Sequence, residues 1–150
     1  MNRAKDILPP TYFIILLLLS IGLHFAFPIK KVIFPPHTYL GFAFIFFGGV
    51  INIGSDLLLK KKKTTVKPYE NPTCLITSGP FRISRNPQYL GFAAILLGVA
   101  INHGTLITFV SPTLFFILME LIFIPFEEKN LERIFGREYI EYRNQVRRWL

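Results

Sequence analysis

The stretch NPQYLGFAAILLGVAINHGTLITFVSPTLFFILM, residues 86–119, runs for 34 residues without an Asp, Glu, Lys or Arg. A membrane-crossing helix needs about 20 mostly apolar residues, with a lower limit near 17. The stretch is too long for one such helix and fits a hairpin of two, turning at His103-Gly104-Thr105. The same reading extends outward. No formal charge falls between Asp6 and Lys30, and none between Lys31 and Asp56. The chain of 150 residues is 51% hydrophobic and 17% charged, against about 25% charged in soluble domains. That excludes disorder and leaves a small integral membrane protein.

Helix boundaries follow from the prolines. One helix is predicted over 11–27, between Pro9-Pro10 and Pro28, with no cleavage site for a leader after it. A second is predicted over 37–59. Residues 60–87 hold Lys60 to Lys63 and four prolines, and read as an irregular connector. The hairpin helices are predicted over 88–102 and 106–124, the latter kinked at Ser111-Pro112. In the last segment, Leu131, Phe135, Tyr139, Tyr142, Val146 and Trp149 recur every three or four residues, with arginines on the other faces. This predicts one amphipathic helix over 127–150, lying at the bilayer surface. The expected fold is therefore all-α and integral to the membrane. One domain would hold about four transmembrane helices, a cytoplasmic connector between the second and third, and a C-terminal amphipathic helix.

With four spans and both termini inside, fifteen of the 17 Lys and Arg fall on one side. The positive-inside rule makes that side cytoplasmic, in a prokaryotic inner membrane by expectation. The net charge of +8 thus reads as headgroup contacts and topology rather than nucleic-acid binding. Cys74, the only cysteine, can form no intrachain disulfide, and no His/Cys spacing predicts a metal. Residues 39–54 and 89–104 match at ten of 16 positions. An inverted repeat is one reading. Two apolar helices with small packing residues is the other, and it is favoured because the match stops after one helix.

Two polar groups can carry chemistry. Arg82, Arg85, Asn86 and Tyr89 supply cationic forks and neutral hydrogen bonds just before a membrane helix. They could hold a carboxylate or phosphate, or serve as membrane anchors and a helix start. Glu127 and Glu128 at the end of the fourth helix could face a cation, or complement the helix dipole. Topology brings both groups to one side. Glu120 lies deeper, seven residues before Glu127 and so on nearly the same face. An ionisable residue within a span is a functional candidate, with pairing to Asn52, Asn102 or His103 as the alternative. Asp56 and Lys60 are spaced for an intrahelical ion pair. No partner is evident for His24 or His37.

Gly79-Pro80-Phe81-Arg82 and Ser84-Arg85-Asn86-Pro87-Gln88-Tyr89-Leu90-Gly91 resemble the first signature of the isoprenylcysteine carboxyl methyltransferase and phospholipid methyltransferase superfamily. Glu127-Glu128, Leu131, Phe135-Gly136, Tyr139, Tyr142 and Val146-Arg147-Arg148 resemble its second, and Thr64 to Pro68 fit the stretch before the first. The resemblance covers roughly the C-terminal three-fifths of the chain. It implies a membrane enzyme that binds S-adenosylmethionine at the cytoplasmic face and methylates a lipophilic or small acceptor: an isoprenylcysteine carboxylate, a phospholipid amine or a thiol. Carried over, Asn86 and Tyr89 hold the methionine end and Arg85 its carboxylate. Gly79 and Pro80 shape the loop around the cofactor, Arg82 and Gly91 belong to the same cofactor-binding motif, and Glu127 and Glu128, the expected catalytic pair, hold the amine or ribose and complement the sulfonium. Two positions depart from the pattern. Asn86 stands where better-known members have His, which excludes a titrating base there. Phe123 stands where many have Arg. A nicotinamide-dependent membrane reductase and a non-catalytic interaction or transport subunit are the alternatives.

Overall fold

The computed structural model describes residues 8–27, 29–65 and 71–150. Arg3, Lys5, Pro28 and the Val66-Lys67-Pro68 portion of the resemblance lie outside them. Helix α1 spans Pro9–Ala26, with prolines in its first turn, where no N–H is required. A 3₁₀ turn over His37–Tyr39 leads into α2, Leu40–Lys61. Helix α3 spans Pro87–His103 and ends on Gly104, whose φ of 68° is the left-handed cap that favours glycine. The expected hairpin turn is therefore present. Three helical stretches are long and apolar enough to cross a membrane: Pro9–Ala26, His37–Lys61 and Leu106–Phe135. The protein is all-helical and multi-pass. Its one bridge among the described residues joins Lys31 to Thr105.

The fourth helical stretch departs from expectation. Pro112 sits in the first turn of α4, Val110–Leu118, which follows directly on a 3₁₀ turn over Leu106–Phe109. A further irregularity comes later, as a π-turn over Met119–Phe123 in which the Ile124 N–H reaches the Met119 carbonyl. Pro125 follows directly. It has no N–H to donate, and its ring would crowd the carbonyl four residues back in a regular helix. The widened turn lets the helix continue through it as α5, Ile124–Phe135. The predicted C-terminal helix is not one element. Gly136, at φ 53°, breaks it, and α6 covers only Arg137–Gln145. Val146 is already extended. Within the stripe, Tyr139 and Tyr142 are buried against the protein, while Leu131, Phe135, Val146 and Trp149 are half-buried.

At one end of the molecule the first loop meets the α3–α4 turn. The Gly104 carbonyl accepts the Val32 N–H at 2.7 Å, and the Lys30 carbonyl accepts the Leu106 N–H at 3.1 Å. His24 does have partners here: Nδ1 lies 3.2 Å from Thr105 Oγ1, and its ring lies 4.3 Å from that of His103. The connector and α6 occupy the other end. Leu16, Tyr89, Leu96, Phe115, Met119, Phe123 and Ile124 form the core between α1, α3 and the long helix. Leu59, Ile76 and Phe81 form a smaller cluster under the connector. The Asp56–Lys60 pair forms as spaced, at 2.6 Å.

The two matching segments pack on each other. A Cβ added to Gly48 would lie 2.8 Å from Ile95 Cγ1, and one added to Gly98 would lie 2.8 Å from Ile45 Cγ1. Each pair is the other displaced by fifty positions and reversed. The repeated glycines thus let two antiparallel backbones touch, as the packing reading requires. Asn52 and Asn102 sit in the same seam, against Gly91 and Gly41. Gly48→Ala is expected to force the helices apart and lower the melting temperature in detergent, with overpacking of about 1–3 kcal/mol. Gly49→Ala, which meets nothing within 4 Å, should leave it unchanged.

Candidate functional site

Residues 78–86 carry the end of the connector onto α3. Gly79–Arg82 form one 3₁₀ turn, with Gly79 at a φ of 60°. Asn86 caps α3 and Pro87 opens it. The turn buries Phe81 and leaves Arg82 exposed. Tyr142 of α6 donates its hydroxyl to the Phe81 carbonyl at 2.6 Å, tying the last helix to the connector. Burial pushes the phenols of Tyr139 and Tyr142 up, Tyr139 to about 12, so both remain neutral.

From α5, Glu127 and Glu128 point in different directions. Glu127 is buried and accepts the hydroxyl of Tyr89. Glu128 pairs with Arg85 at 3.1 Å, with side chains only 10% and 12% exposed. Removing Glu128 strands the Arg85 charge, at a cost of about 3–5 kcal/mol. The Asp56–Lys60 pair, 50% and 72% exposed, contributes a few tenths at most, about 0.3–0.5 kcal/mol. Arg85 also donates to the Tyr139 hydroxyl at 3.4 Å. Its Nε is buried without a hydrogen-bond partner among the described residues.

Glu120 joins this network rather than Asn52, Asn102 or His103. It accepts the Trp149 indole N–H at 2.7 Å and pairs with Arg148. The π-turn explains the arrangement. In a regular helix Glu120 and Glu127 would share a face. One extra residue per turn shifts the register, so Glu120 aligns with Glu128 and Glu127 rotates inward. Arg148 bridges the aligned pair, reaching Glu128 Oε2 at 2.7 Å. These carboxylates raise its own pKa, so it stays charged.

The structure thus brings together Arg85, Asn86, Tyr89, Glu127 and Glu128. Gly79, Pro80 and Arg82 lie outside that network. The first two pack against α2, beside Leu58 and Gly54. Gly91 serves the α2–α3 seam instead. Glu120, Ser84, Tyr139, Tyr142, Arg148 and Trp149 belong to the site without having been assigned to it from the sequence. Nearby, a cleft of about 450 Å³ opens between α2, α3 and α4, lined by Phe44, Phe47, Leu90, Phe109, Phe116 and Leu150 among others.

A multi-pass helical protein with a carboxylate–arginine cluster where a connector meets the last long helix belongs to a narrow class, and sequence comparison identifies it. A model of the phospholipid methyltransferase family matches residues 36–138, and the chain belongs to that family. It is 32% identical over 111 residues to a probable protein-S-isoprenylcysteine O-methyltransferase of Oryza sativa, covering 73% of this chain and 58% of that protein. It is 35% identical over 81 residues to protein-S-isoprenylcysteine O-methyltransferase A of Arabidopsis thaliana, covering 52% and 40%. The chain thus spans little more than half the length of the rice relative and less than half that of the Arabidopsis one.

Tyr142→Phe leaves the Phe81 carbonyl without its donor. It is expected to cost about 1–3 kcal/mol, seen as a lower melting temperature in detergent. The exposed Arg143→Gln, which breaks only a surface contact with Glu132, is expected to change it little.

Proposed function

We propose that this protein transfers the methyl group of S-adenosylmethionine to a lipophilic or small acceptor at the cytoplasmic face of a membrane. The observation that carries the reading is the double link between the start of α3 and α5: Arg85 with Glu128, and Tyr89 with Glu127. Family membership supplies the donor. When bound, it brings a methyl group already activated on a sulfonium.

The residues present fit a donor carrying both a carboxylate and positive charge. Arg85 has a buried, unpartnered Nε suited to a carboxylate. Glu128 and Glu120 are carboxylates that already hold one cation, Arg148. Tyr89 holds Glu127 in a single orientation. None of these groups needs to exchange a proton with the acceptor, and Asn86 cannot. Their work is to bind and orient, which accounts for a large part of the acceleration when two reactants are held in line. An apolar acceptor would lie in the cleft beside Phe116, reached sideways from the lipid. Phe123, in the core beneath, supplies no charge toward a carboxylate acceptor.

The topology that suits this reading has four spans, with α3 as the shortest. At 17 residues α3 meets the lower limit for crossing, and its glycine seam runs it alongside α2. The basic connector and α6 then share the inner face.

Calorimetry on purified protein tests the donor. S-adenosylmethionine and its demethylated product should bind, and Tyr89→Phe or Glu127→Gln should weaken binding about fivefold, as expected when the hydrogen bond that orients Glu127 is lost. Unchanged affinity in both variants would contradict the site, and binding of NADPH instead would favour a reductase. Transfer of labelled methyl to prenylated cysteine analogues, phospholipids or small thiols would name the acceptor.

A further inference from the structure

Beyond α6 the chain turns back across the cluster. The Arg147 carbonyl accepts the Arg85 N–H at 3.0 Å. The Arg148 carbonyl accepts the Ser84 hydroxyl at 3.0 Å and the Asn86 side-chain amide at 3.2 Å. The Arg148 guanidinium grips Glu128 through Nε and Nη2, at 3.2 and 2.7 Å, and reaches Glu120 through Nη1. Trp149 donates to Glu120 and stacks on Phe116 with ring centroids 4.8 Å apart. Leu150 forms part of the wall of the apolar cleft.

We propose that Val146–Leu150 is a strap that closes the donor site, with Arg148 standing in for the donor's positive charge, and that donor binding releases it. The inference rests on the reading in the preceding section. Three features carry it. First, the strap engages the groups that reading gives to the donor: Asn86 through a carbonyl, and Glu128 and Glu120 through a cation. Strap and donor therefore exclude one another. Second, the strap is held by polar contacts, by the stack of Trp149 on Phe116 and by the packing of the half-buried Trp149 against the edge of the core. The Arg148 side chain is 31% exposed, and Arg147 and Leu150 are exposed. It can lift away from the edge of the core while the buried cluster stays packed and Tyr139 and Tyr142 keep α6 in place. Third, one movement serves both substrates. Lifting Arg148 frees the carboxylates, and lifting Trp149 and Leu150 uncovers the cleft beside Phe116.

Trp149 is the chain's only tryptophan, so its fluorescence reports the strap directly. Full-length protein in lipid nanodiscs is titrated with S-adenosylmethionine in the absence of acceptor, with calorimetry in parallel. The expected result is a red shift of Trp149 emission and greater quenching by acrylamide, half-complete at the concentration where the binding heat is half-complete. Arg148→Gln should show shifted emission before any donor is added. It should also bind the donor about tenfold tighter, as for a strap closed about nine-tenths of the time. Binding heat with unchanged emission would overturn the strap and leave the donor reading standing. So would an Arg148→Gln protein that binds no tighter. Absence of binding heat in the unmodified protein would overturn the donor reading and the strap with it. The titration of unmodified protein decides the matter even if the variant does not fold.

Discussion

Glu120, Glu127 and Glu128, the half-buried and buried carboxyl groups of the long helix, are tolerated because each meets a donor from another part of the chain. Tyr89 reaches Glu127 from α3, Arg85 reaches Glu128 from the connector, and Arg148 with Trp149 reach Glu120 from beyond α6. A charge in low dielectric without such a partner is very costly. The pairing therefore fixes where the long helix ends relative to α3, and how the connector and α6 fold over that end. The helices beneath serve this arrangement. The glycine seam sets the approach of α2 to α3, and the core around Phe115 and Met119 sets the approach of the long helix.

The π-turn is the device that makes the cluster polar on two sides. It turns Glu127 into the protein and leaves Glu120 and Glu128 facing the strap. A regular helix would give a different pair of neighbours and leave Glu128 out of register with Glu120. Such turns are frequent at functional sites, and here Pro125 supplies a local reason for one. The same cluster is both a structural clamp and a set of groups suited to a zwitterionic donor, so binding and folding draw on the same side chains.

Much of this was legible in the sequence. The charge-free runs located the first three helices to within a few residues, because the membrane penalty for charge acts on composition alone, whereas the fourth runs on past its expected end at 124 to Phe135. The Gly104 turn and the Asp56–Lys60 pair followed from local rules. Other features depend on tertiary structure. Spacing by threes and fours continues across Gly136, so the stripe from Leu131 to Trp149 looked like one helix. The stripe instead serves two elements and a strap, and its tyrosines face the connector. Spacing also placed Glu120 beside Glu127, since periodicity carries no mark of an inserted residue. Arg148 and Trp149 read as parts of a basic surface helix, and only the fold brings them to Glu120.

The account depends most on the convergence of the α3 start and the end of the long helix around one donor. Direct ultraviolet cross-linking of methyl-labelled S-adenosylmethionine to the membrane-embedded protein, followed by peptide mapping, tests this. The account predicts label on peptides covering residues 84–91 and 116–128, with label lost when unlabelled donor is in excess. Competable label confined to the opposite end, around residues 30–37 and 103–106, would contradict it.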